Sequence, residues 1–402
     1  MKKGILFILT VLLFTACSQK PEGHYAVLCI PVYGQSLALG EQAELITDFD
    51  SLATYANGRI VTENLDHEYG YFDNNDFKRF AKKMAKYQKR SFELSVYTMA
   101  QRLADQLGED TLICTFPGGQ GETLLKDLGK SSVPYQEFME NIETAYLQAK
   151  ENGWDFLIPA ICWMQGESDI EEYPDTDYQQ LLLQIWKDMN ADIRSITQCK
   201  DTIRFICYQT NSLTRGKKFH AENFNCTETA VPQSFVNQLR NNDGFWASGP
   251  TYPCSFVGEH IHIDTKGQQH IGELAARSAL GIIRGSKRNR GLIPLETSVD
   301  NHDVVIHFNV PTPPLVIDTI LVRKANNYGF SVITKDNRNI ANTVSLKGDS
   351  IIITCSESPQ NSKIRYAVNG EPFKSGNLHG PRGNLRDSNN NWCYQFDQLI
   401  HP

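Results

Sequence analysis

Four stretches of almost unbroken apolar residues punctuate the first part of the chain: Tyr25–Pro31, Thr111–Phe116, Phe156–Trp163 and Thr202–Tyr208. Runs of this length without alternation predict strands covered on both faces, as in a parallel sheet. Between them the spacing changes to that of helices. Ser91–Leu107 places Leu94, Tyr97, Ala100, Leu103 and Leu107 on one face, and Tyr135–Asn152 and Tyr178–Ile196 repeat the pattern. Alternating strands and helices predict an α/β fold, a three-layer α/β/α sandwich whose active site lies outside the carboxyl ends of its strands.

The pattern changes after Arg284. Ser286-Lys287-Arg288-Asn289-Arg290 reads as a polar connector. Beyond it come short β-type runs, Val304–Val310, Thr319–Lys324, Phe330–Thr334, Ser350–Cys355 and Lys363–Val368, separated by turn residues such as Gly348-Asp349 and Asn369-Gly370. The expectation is a catalytic-type domain over 24–286 and a small β-sandwich-like domain over 290–402. Gly380 to Asp387 reads as a loop with a structural role.

The N-terminus follows a different rule. Met1-Lys2-Lys3 is basic, Gly4–Thr15 is apolar but too short to span a bilayer, and Ala16-Cys17 follows. Residues 1–17 therefore read as a signal sequence, 18–23 as a tether, and Phe14-Thr15-Ala16-Cys17 resembles a bacterial lipobox with Cys17 as the lipidated residue. The expected location is the cell envelope, lipid-anchored to the outer membrane. Nine cysteines remain after Cys17. Most lie in apolar runs and read as buried small hydrophobes; Cys226 with Cys254 is the one pair that loop-like sequence suggests for a disulfide. A net charge of -7 argues against a nucleic-acid partner.

Chemistry gathers at the strand ends. Gly34-Gln35-Ser36 follows the first run, Pro117-Gly118-Gly119-Gln120-Gly121-Glu122-Thr123 the second, and Met164-Gln165-Gly166-Glu167-Ser168-Asp169 the third; Glu259-His260-Ile261-His262 comes later. Acyl transfer by serine needs a hydroxyl, a base, a group to orient the base, and donors for the oxyanion. Ser36 at a strand-to-helix turn supplies the first and its own N–H. The glycines at 118–121 allow a backbone N–H to come close, Gln165 offers a side-chain amide, and Glu259 lies three residues before His262.

These blocks resemble the SGNH hydrolase superfamily, and within it the sialate O-acetylesterase and acetylxylan-esterase-like branch. The resemblance rests on Gly34-Gln35-Ser36, on Trp163-Met164-Gln165-Gly166-Glu167-Ser168-Asp169, and on His262 with Gly267 five residues on. It covers residues 24–284 and implies removal of acetyl groups from sugars, without metal or cofactor. It assigns Ser36 as nucleophile, His262 as base, Glu259 as orienting acid where the family has Asp, and Gln165 with Gly121 or Gly119 as oxyanion donors. Glu167 reads as a brace that accepts backbone N–H bonds, and Asp169 as a helix cap or surface residue.

Two other readings compete. His260, His262 and Asp264 would share one face of a strand and resemble the ligand run of a metal-dependent hydrolase. The β part, with Trp163, Trp246 and Tyr252, would suit a non-catalytic glycan-binding lipoprotein.

Overall fold

The computed structural model describes residues 24–62, 92–172, 177–216 and 219–401. The signal sequence, Cys17 and the tether lie outside the described residues. Each of the first three apolar runs leads into a pair of short strands, the second of which lies beyond the run in the first two cases. The first gives β1 (Ala26–Cys29) and β2 (Val32–Gly34), divided at Pro31, which has no N–H for the ladder. After β3 (Ile60–Val61), the second gives β4 (Thr111–Cys114) and β5 (Pro117–Gly119). The third gives β6 (Asp155–Leu157) and β7 (Ala160–Met164), divided at Pro159. β8 (Arg204–Gln209) and β9 (Phe245–Pro250) follow.

All these strands pair in parallel, in the orders β3-β4-β1-β6 and β5-β2-β7-β8-β9. The chain leaves β2 for a neighbour on one side, β5, and later returns on the other, β7. The order therefore reverses at Gly34, and a crevice opens at such a point.

Helices cover both faces, among them Ser95–Gln106 and Thr265–Ile283 on one and Val133–Glu151 and Tyr178–Thr197 on the other. Leu28, Ile30, Val32, Ile113, Cys162 and Ile206 form the core on the first face. Tyr33, Phe116, Phe138, Ile161, Trp163 and Phe205 form it on the second, where Trp163 stacks on Phe205 at 5.1 Å.

The second core does not stop at the sheet. It runs on into Val304, Tyr366, Trp392 and Phe396 of the C-terminal part. That part is antiparallel: β10 (Ile293–Asp300), β11 (Asp303–Asn309), β14 (Ala341–Lys347) and β15 (Ser350–Cys355) form one sheet. A second sheet holds β13 (Phe330–Ile333), β16 (Lys363–Tyr366) and β18 (Phe396–Leu399). The apolar run Thr319–Lys324 is a turn, not a strand; its neighbour β12 (Leu315–Ile317) pairs instead with β17 (Leu385–Asp387), so the end of the expected loop is strand as well. Strands β10 and β14 carry mostly exposed side chains and so gave no apolar run to read.

Polar contacts reinforce the seam. Gln209 Nε2 donates to the Gln395 carbonyl at 2.9 Å, the Gln395 N–H donates to Gln209 Oε1 at 2.7 Å, and Tyr252 Oη donates to the Cys393 carbonyl at 2.9 Å. Cys226 and Cys254 are not joined; all nine cysteines from Cys29 to Cys393 are reduced thiols, eight of them buried. No helix among the described residues is long and apolar enough to cross a membrane.

Candidate active site

Close backbone packing fixes the turn that carries Ser36. A Cβ on Gly34 would stand 1.9 Å from the Met164 carbonyl oxygen, so only glycine lets β2 and β7 approach here. The Gln35 N–H then donates to that same oxygen at 3.0 Å. Ser36 follows, almost fully buried, but no helix begins at it: residues 37–42 form successive turns, closed by the Glu41 N–H donating to the Ser36 carbonyl at 2.9 Å. The expected strand-to-helix turn is therefore absent at Ser36, although the Ser36 N–H itself makes no hydrogen bond to a described residue.

His262 reaches Ser36 from a distant part of the chain. Its Nε2 lies 2.9 Å from Ser36 Oγ. The segment is not a strand. Val257–Glu259 is a turn of 3-10 helix, the Val257 N–H donates to the His262 carbonyl at 2.8 Å, and Asp264 caps helix Thr265–Ile283 through the Gly267 N–H. Gln268 on that helix donates to the Leu37 carbonyl at 2.9 Å and so ties the histidine side to the turn that carries Ser36.

Because His260 is exposed, His262 faces Ser36 and Asp264 caps a helix, the three residues do not converge. Among the described residues no group of three His, Cys, Asp or Glu side chains could hold a metal ion.

Glu259 does not orient His262. Gly258 and Glu259 both adopt positive φ, 61° and 56°, which turns the carboxylate toward the C-terminal part. There it pairs with Lys374 Nζ at 3.0 Å and with His379 Nδ1, while the Ser375 N–H donates to its carbonyl. His262 Nδ1 is buried with no partner. Ser36 and His262 thus meet as a pair, with no carboxylate on the far nitrogen of the ring. Burial first, then the charges of His260 and Arg215, lower the His262 pKa to about 4, so the imidazole is neutral and able to accept a proton at physiological pH.

Gln165 is likewise not an available oxyanion donor. Its amide donates to Asp169 Oδ2 at 2.6 Å and to the Thr123 carbonyl at 3.2 Å, and its oxygen accepts from Tyr178 Oη at 2.8 Å. Asp169 is buried rather than on the surface and accepts the Leu125 N–H as well. Glu167 does brace this block, but through Tyr208: its two carboxylate oxygens lie 2.5 and 2.6 Å from that hydroxyl.

Of the two glycines, Gly119 has φ of 105° and is used in the close approach to Gly34. Gly121 lies over Ser36: a Cβ on it would be 3.8 Å from Ser36 Cβ, and its N–H makes no hydrogen bond to a described residue.

Two charged residues complete the surroundings and were not read from the sequence. Glu41 Oε2 lies 4.0 Å from His262 Nε2, and burial, then Glu122, raises its pKa. Its place five residues after Ser36 was the available signal. Arg215, in the turn after β8, had none. Its side chain is 10% exposed, its Nε and Nη1 are buried without partners, and Nη2 stands 3.7 Å from Glu171 Oε1.

Comparison with known proteins follows the same lines. A carbohydrate acetylesterase from Xanthomonas citri superposes with a TM-score of 0.61 at 14% identity, over 93% of this chain and 80% of its own. A protein from Arabidopsis thaliana matches over 64% of this chain and 99% of its own, with a TM-score of 0.46 at 14% identity. NanS matches over 65% and 98%, with a TM-score of 0.41 at 14% identity. The first establishes the shared fold; the other two carry no further weight. No curated protein sequence matches the chain. The model of the carbohydrate esterase family described as sialic acid-specific acetylesterase matches residues 81–281, half of the sequence. With that match, the chain belongs to the sialic acid-specific acetylesterase family of carbohydrate esterases.

Proposed function

We propose that this protein is a serine O-acetylesterase that removes acetyl groups from sugars, sialic acid or decorated polysaccharides, by a Ser36–His262 dyad. The observation that carries the reading is the 2.9 Å contact between Ser36 Oγ and a buried, neutral His262. In the first half-reaction His262 Nε2 takes the Ser36 proton as Oγ attacks the acetyl carbonyl. The Ser36 and Gly121 N–H groups face the developing oxyanion, where each donor contributes roughly 100–1000-fold in rate. His262 then gives its proton to the departing sugar hydroxyl. In the second half-reaction it activates water, which releases acetate and restores Ser36.

The test is acetate release from aryl acetates and a panel of acetylated sugars. Ser36→Ala should lower kcat/KM by roughly ten-thousand-fold while the melting temperature holds. Near-wild-type turnover in that variant would sink the mechanism.

We also propose that the protein is exported and anchored through Cys17. Support comes from the basic head, short apolar run and Ala16-Cys17 of the sequence. Cys17→Ala should move the protein from the membrane fraction to the soluble one; unchanged fractionation would exclude the anchor.

A further inference from the structure

We infer that Arg215 is the seat for a carboxylate carried by the acetylated sugar, so that the preferred substrates are acidic sugars. This deepens the esterase reading and rests on it.

A guanidinium has five N–H donors in a planar fork, and burying them without acceptors is costly. Arg215 is nine-tenths buried, yet its Nε and Nη1 have no partner, and Nη2 meets Glu171 only as a loose ion pair at 3.7 Å, beyond hydrogen-bond range. Two of the three nitrogens of the fork are thus buried and unsatisfied. Ser212 Oγ, three residues earlier in the same turn, is also buried without a partner.

The place is right for substrate. Arg215 sits at the carboxyl end of β8, and Glu171 belongs to the short helix Glu167–Glu172 that follows β7. β7 is the neighbour of β2, β8 lies next beyond it, and Arg215 is near enough to act electrostatically on His262. The turn is also fixed from behind, since Thr214 Oγ1 donates to the Lys374 carbonyl at 2.6 Å. A planar two-oxygen acceptor is the group that matches such a fork. An incoming carboxylate would also cancel the field that Arg215 exerts on His260 and His262. It would do so as His262 has to hold a proton.

The experiment compares each substrate as its free carboxylate and as its methyl ester. An O-acetylated sialic acid and an O-acetylated uronic acid oligosaccharide serve as the two sources of the group. Wild type should favour the free acid of at least one by roughly 10–100-fold in kcat/KM, the range of a charge-assisted hydrogen-bonded pair. Arg215→Met should collapse that ratio to within about threefold of one, and Arg215→Lys, a point charge without the fork, should leave it in between. The wild-type comparison and the lysine variant decide the matter even if the methionine variant fails to fold. Equal use of acid and ester by wild type for both sugars overturns the proposal, as does a preference that survives in Arg215→Met. No acetate from any ester, aryl acetate included, would mark failure of the esterase reading, and this proposal would fall with it.

Discussion

Lowering the pH should leave this enzyme active well below the point at which most histidine-dependent hydrolases lose their base. The perturbation is protonation of His262. Burial first, then the electrostatic effects of His260 and Arg215, bring its pKa from 6.5 to about 4, and no carboxylate reaches Nδ1 to oppose them. That fall corresponds to about 3 kcal/mol between the two protonation states.

The proposed mechanism requires the neutral imidazole, so kcat/KM should be flat from neutral pH down to about 5, halve near about 4, and then fall tenfold per pH unit. The same group affects stability. The unfolded chain binds this proton near 6.5 and the folded chain only near about 4, so stability present above 6.5 is lost progressively as pH falls through that window.

Acetate release measured directly, rather than by a phenol chromophore that itself titrates, gives the rate profile, and thermal melts give the other. Glu259→Gln should leave the acid limb where it is, because Glu259 is engaged by Lys374 and His379. An acid limb between pH 6 and 7, or one that moves in that variant, would show that a carboxylate does hold His262 and would refute the reasoning.

Two further outcomes test the scaffold. Gly34→Ala puts a methyl 1.9 Å from the Met164 carbonyl, so β2 and β7 must separate; the expected loss is about 3 kcal/mol or more, with activity falling as Ser36 shifts, read by denaturant melts and acetate release. Deleting residues 290–402 removes Tyr366, Trp392 and Phe396 from a shared core, each costing about 3–5 kcal/mol, which together reach the whole stability of a typical domain. The truncated chain should be insoluble or unfolded by circular dichroism, and a soluble, active fragment would contradict the continuous core.

The sequence carried the fold's alternation and the meeting of Ser36 with His262, because buried parallel strands and glycine-bounded turns leave marks in nearby residues. It did not carry where longer side chains find their partners. Glu259 occupies the place of an orienting acid, and only the folding of Lys374 and His379 against it decides otherwise. Gln165 has the chemistry of an oxyanion donor, but Tyr178 and Asp169 use it up from the following helical segments. Strand β9, Phe-Trp-Ala-Ser-Gly-Pro, was hidden by its closing glycine and proline. Arg215 belongs to no pattern at all, since its significance lies in bonds it does not make.

The reduced thiols have a practical consequence. Cys29, Cys114, Cys162 and Cys207 lie inside the parallel sheet, whereas Cys355 and Cys393 lie in the antiparallel part. Each can be alkylated only when its surroundings open. The wild-type chain therefore carries its own reporters of local opening, and the order in which they react would tell whether the two parts breathe separately or together.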